Sequence, residues 1–78
     1  MRKLSAAERN DRVALRLVAG PGTCVRHMVT KATNAATLAR LVRSGHVARD
    51  TAAEYSDALA LTFDGQDYLA VLEESWHD

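Results

Sequence analysis

The stretch from residue 58 to residue 72, "ALALTFDGQDYLAVL", changes its repeat in the middle. Leu59, Leu61 and Phe63 alternate with Ala58, Ala60 and Thr62, which is the two-residue repeat of a strand. Further on, Tyr68, Leu69, Leu72 and Trp76 recur at the spacing of one helix face. Only Asp64-Gly65 lies between the two patterns, so a strand must feed a helix with almost no loop. Thr62 is placed to cap that helix, and Asp64 suits the positive end of its dipole. Gly65, with no side chain, lets the first turn approach a neighbouring element closely. This junction restricts the fold more than any other feature of the chain.

The upstream pattern supplies what the junction must join. Ser5-Ala6-Ala7-Glu8 reads as a capping box, and a helix is expected over 5–19. Val13, Ala14, Leu17 and Val18 form its expected buried stripe, with Arg9, Arg12 and Arg16 on another face. Gly20-Pro21-Gly22 ends it. Thr23 is the expected cap of a second helix over 23–31, with Val25, Met28 and Val29 on one side and Arg26 and Lys31 off it. Thr33 or Asn34 caps a third helix over 34–44. Ala35, Leu38, Leu41 and Val42 face inward there, and Thr37, Arg40 and Arg43 lie on or near the outer side. Gly45 ends it as a left-handed residue. Residues 46–49 and 58–62 read as the arms of a hairpin around the polar turn "DTAAEYSD", and a last helix covers 63–76.

The expected fold class is therefore α+β in a single domain, 1–78: three helices, a two-stranded hairpin and a closing helix. That is the order of a winged helix-turn-helix domain, in which the second wing strand returns to the core and runs straight into the closing helix. "LARLVRSGHVARD" followed by "ALALTFDGQDYLAVL" resembles winged-helix repressors of the multiple-antibiotic-resistance type, the match being carried by Leu41, Gly45, Val47, Leu61, Thr62 and Gly65. The tail "LTFDGQDYLAVLEESW" is also similar to the ending of a family of small phage-associated proteins. Both resemblances cover residues 35–76, and they imply a fold more firmly than an activity, because winged helices serve many partners.

Charge divides the chain sharply. Residues 1–49 hold all ten Lys and Arg and two acids, leaving +8; residues 50–78 hold eight acids and no Lys or Arg, leaving −8. Such asymmetry points to a polyanion-binding surface or to an acidic interaction surface. It is equally what two mutually attracting parts of one fold would display.

Two functions follow as expectations. In the first, duplex DNA is the partner and the third helix enters the major groove. Thr33, Asn34, Thr37 and Arg40 then reach base edges or phosphates, while Arg26, Lys31 and Arg43 hold phosphates. A single domain makes few contacts, so a homodimer on a two-fold site is expected with it. In the second, the chain is a protein-binding module that occupies a host nucleic-acid-handling complex, in the manner of anti-CRISPR proteins. The wing favours this reading, since it offers Glu54, Tyr55 and Asp57 where such wings usually carry a basic residue. Asp64 and Asp67 extend that acidic surface, and Tyr68 and Trp76 are either aromatic anchors beside it or core.

Reactive chemistry is sparse. His27, His46 and His77 have no spacing with Cys24 or with carboxylates that fits a zinc site. "GPG" is not followed by the Lys-Ser or Lys-Thr of a phosphate loop. Cys24 reads as a small buried residue, and His46 as a partly buried strand residue. No enzyme activity and no cofactor are expected. One cysteine excludes an internal disulfide, and there is neither a signal peptide nor a long apolar run, so a reducing cytoplasm and no membrane contact are expected.

Overall fold

Residues 3–75 are described by the computed structural model, and over them the chain is α+β. Helix α1 spans Ala6–Ala19, and the capping box at its start is complete: the Ser5 hydroxyl accepts from the Glu8 N–H and the Glu8 carboxylate accepts from the Ser5 N–H. A two-residue strand β1, Cys24–Val25, leads directly into α2, Arg26–Ala32. Helix α3 covers Ala35–Arg43, strands β2 and β3 cover Val47–Arg49 and Ala58–Leu61, and α4 covers Phe63–Ser75.

The hairpin forms with the expected antiparallel pairing, Val47 opposite Leu61 and Arg49 opposite Leu59. The third strand was not legible. β1 pairs antiparallel with the other edge of β3, Cys24 opposite Leu59, so the sheet order is β1-β3-β2. Two residues are too few for a strand repeat to register in sequence, and Thr23, expected as a cap, precedes this strand instead. The N-cap of α2 is Val25, which offers no side-chain hydrogen bond.

The core is built from Leu4, Ala14, Leu15, Val18, Cys24, Val29, Leu38, Leu41, Val47, Leu59 and Leu72. Helix α1 lies across it and packs against α2, α3, α4 and β3. Its buried line is Asp11, Ala14, Leu15 and Val18, one step round from the expected one. Val13 is 38% exposed while Leu15 is fully buried, and Arg12, expected on an outer face, is 9% exposed. In α3, Leu38 and Leu41 point inward as expected. Thr37 does too, at 2% exposure, whereas Ala35 and Val42 face solvent. Met28 is likewise more exposed than its neighbour Val29.

The strand-to-helix junction is as tight as its sequence requires. The Thr62 hydroxyl accepts from the Gly65 N–H at 3.0 Å and donates to the Gly45 carbonyl at 2.6 Å. Gly45 itself has φ +83, the left-handed conformation that ends α3. One residue departs from the expected alternation. Phe63 opens α4 as expected, but its ring is 83% exposed and does not share the half-buried side of Leu61. Trp76 and His77 lie outside the described residues.

Candidate nucleic-acid interface

The seven residues expected to meet nucleic acid all lie on α2, α3 and the turn between them, but the fold uses four of them internally. The Thr33 hydroxyl donates to the Val29 carbonyl at 2.8 Å, closing the end of α2. Asn34 caps α3, its side-chain oxygen accepting from the Thr37 N–H at 2.7 Å. Thr37 is buried beneath that cap. A cap satisfies helix donors that have no other partner, so freeing Asn34 for a ligand would cost about 1 kcal/mol. The Thr33 and Asn34 side chains therefore bond within the turn, and Thr37 contributes its backbone N–H. Asn34 is nonetheless exposed and Thr33 half-buried, while Thr37 is covered.

Arg40 is the fourth. Its guanidinium donates to Oδ1 of Asp11, and Tyr68 donates its hydroxyl to Oδ2 of the same carboxylate at 2.6 Å. Asp11 is 4% exposed, so a buried charge is paired from both sides by residues of α3 and α4. Burial, and then the hydrogen bond to Asp11, pushes the Tyr68 phenol well above its ordinary range. The Tyr68 ring also lies 4.6 Å from that of His46, and Nδ1 of His46 is 2.6 Å from the Ser44 hydroxyl. Asp11, Arg40, Leu41, Ser44, His46 and Tyr68 line an open hollow of about 150 Å³. His46 sits in the bend before β2, not within the strand.

The exposed side chains of α3 are then Ala35, Ala36, Ala39, Arg40, Val42 and Arg43. Arg26 and Lys31 of α2 and Arg49 of β2 are exposed as well. No acidic residue occurs anywhere from Arg12 to Arg49. The exposed side chains of α2, α3 and β2 are thus basic or neutral throughout, and Asp11 is joined to them through Arg40.

The acidic residues sit elsewhere. Glu54, Tyr55 and Asp57 are exposed in the loop between β2 and β3, where Tyr55 keeps 59% of its surface in solvent. The backbone of Asp57 meets the start of α2, its carbonyl accepting from the Arg26 N–H at 3.1 Å. Asp64 and Asp67 are exposed on α4. The basic and acidic parts meet at Arg16 of α1 and Glu73 of α4, a two-pronged pair that holds the Glu73 carboxyl below its usual range. Tyr68 is half-buried against the core, the role given it above as the alternative to an anchor.

Three residues important here were missed in sequence. Asp11 falls on the buried line of α1, three residues before Ala14 and four before Leu15, a position that marks it as inward-facing. Arg49 continues the basic surface past α3. Phe63, the first residue of the expected last helix, was not singled out as a surface residue. Cys24 is buried, and burial raises its thiol pKa, the opposite of an activated thiolate. Among the described residues, no group of three or more His, Cys, Asp or Glu is placed to hold a metal ion, and no helix is long and apolar enough to cross a membrane. No family model, curated protein or solved structure matches the chain.

Proposed function

We propose that the chain is a winged helix-turn-helix domain and that the α2–α3 face binds duplex DNA. The fold part of the proposal is supported by the element order, by α2 and α3 meeting through a short turn, and by β1 joining the hairpin as a third antiparallel strand. The functional part is carried by one observation: from Arg12 to Arg49 there is no acidic residue, and this segment presents α2, α3 and β2 with five exposed cations, Arg26, Lys31, Arg40, Arg43 and Arg49.

On this reading Arg26, Lys31 and Arg43 contact phosphates, which supply affinity and register but little sequence preference. The small side chains Ala35, Ala36 and Ala39 let α3 approach the groove floor and touch thymine methyl groups. Arg40 reaches a base edge or phosphate with the guanidinium nitrogens that Asp11 does not hold. The loop between β2 and β3 carries Glu54 and Asp57 and adjoins the start of α2, so it makes no phosphate contact of its own and weakens the one at Arg26. Few contacts per chain make tight binding a matter of two copies on a two-fold site.

Titration against duplex DNA at several salt concentrations tests the proposal. Three phosphate contacts give a log–log slope of about −3, and Arg43→Glu makes it shallower by about 1. Binding that is indifferent to salt, or that Lys31→Glu and Arg43→Glu leave unchanged, would falsify it.

A further inference from the structure

Phe63, Asp67, Ala70 and Glu74 are spaced at four, three and four residues along α4, so they align on one side of the helix. All four are exposed, with Asp64 beside them and Val71 at the edge, half in solvent. Among the described residues Phe63 is the most exposed large hydrophobic. The fold makes no use of an aromatic ring at that position. The start of α4 is held by Thr62 and by the close approach of Gly65, and its inner side is supplied by Tyr68, Leu69 and Leu72. A phenyl group left in water at the end of an otherwise satisfied helix is a ready anchor for a partner.

Charge decides what that partner is. Asp64, Asp67 and Glu74 make no ion pair among the described residues, and the segment 50–78 has no Lys or Arg to answer them. A nucleic acid or an anionic membrane would be repelled. A second copy docking α4 against α4 about a two-fold axis would set the same acids against one another. We infer that this face of α4 docks a protein partner through a Lys- and Arg-rimmed apolar slot. Phe63 fills the slot, and Asp64, Asp67 and Glu74 pair with its rim. Buried aromatic anchors ringed by complementary charge are the usual arrangement of binding hot spots. The inference goes beyond duplex binding and uses none of the residues of that reading.

The full chain with p-benzoylphenylalanine at position 63, irradiated among the soluble proteins of the cells that express it, provides the test. The expected result is one protein crosslinked through a segment that carries Lys or Arg around apolar residues. Unlabelled wild-type chain competes for it, and Phe63→Ser and Asp67→Lys chains need about tenfold higher concentration to do so. Both variants keep the wild-type melting temperature and titrate duplex DNA unchanged, which separates this surface from the α2–α3 face. Should Phe63→Ser unfold the chain, Glu74→Lys at the far end of the same face supplies the comparison. No specific crosslink overturns the inference, as does a crosslink to nucleic acid, to a second copy of this chain or to a segment without cations. Equal competition by the variants overturns it too.

Discussion

A side-chain carbon placed on Gly65 would lie 2.0 Å from the carbonyl oxygen of His46. The first turn of α4 is pressed onto the backbone between α3 and β2, at a distance that only a glycine allows. The same carbonyl accepts the Thr62 N–H at 3.2 Å, so strand end, helix start and the preceding turn share one small region.

Gly65→Ala therefore forces either the helix or the turn to move. Backbone cannot rotate away as a flexible side chain does, and overpacking of this kind costs about 3 kcal/mol. Urea denaturation of the variant measures it. A loss below about 0.5 kcal/mol would mean that α4 sits further from His46 than described.

Thr62→Val keeps the shape of the side chain and removes its hydroxyl. The Gly65 N–H and the Gly45 carbonyl each lose a partner, and the expected cost is about 1–2 kcal/mol. Thr62→Ser retains the hydroxyl and restores most of that stability, so the pair of variants separates hydrogen bonding from packing in one set of melts.

Tyr68→Phe leaves Asp11 with Arg40 as its hydrogen-bonding partner and is expected to destabilise by about 1.5–3 kcal/mol, the range for hydrogen bonds to charged groups. The phenol also gives a pH signature. Its folded pKa lies above its unfolded value of about 10, so its contribution is whole below that pH and fades as pH rises beyond it. In a Tyr55→Phe background, where the ultraviolet phenolate signal comes from Tyr68, ionisation should begin above the ordinary phenol range and coincide with alkaline unfolding. Ionisation at about pH 10 without unfolding would contradict the Tyr68–Asp11 bond.

Cys24 offers a thiol probe of the sheet. It is 3% exposed on β1, and burial raises its pKa. At neutral pH it should resist a thiol-specific disulfide reagent in the folded chain and react at once in urea. Fast labelling of the folded chain would mean that β1 is open, and with it the third strand.

What the sequence disclosed followed the strength of local signals. Ser5, Asn34, Thr62 and Gly45 were readable because caps and left-handed turns demand particular residues whatever lies around them. The faces of α1 and α3 were less so. Val13 and Leu15, and likewise Thr37 and Val42, lie on nearly opposite sides of their helices, and only the neighbouring elements decide which of them is covered. β1 left no trace because two residues cannot display a repeat, and its strand character comes wholly from pairing with β3. The candidate interface divided in the same way. Arg26, Lys31 and Arg43 are exposed as expected from their offset to apolar positions. Arg40 carries a tertiary partner, Asp11, that lies 29 residues away in sequence and that no helical spacing reveals.

The sheet order β1-β3-β2 carries a consequence for synthesis. Both outer strands take β3 as their neighbour, and β3 is the last of the three to be made. Until residues 58–61 leave the ribosome, Cys24–Val25 and Val47–Arg49 have no sheet to join, however complete the helices before them. α1 waits as well, since part of what it packs against is β3 and α4. The helices made first thus lack a closed core until then, and the emergence of β3 and α4 draws α1, β1 and β2 together in a single step.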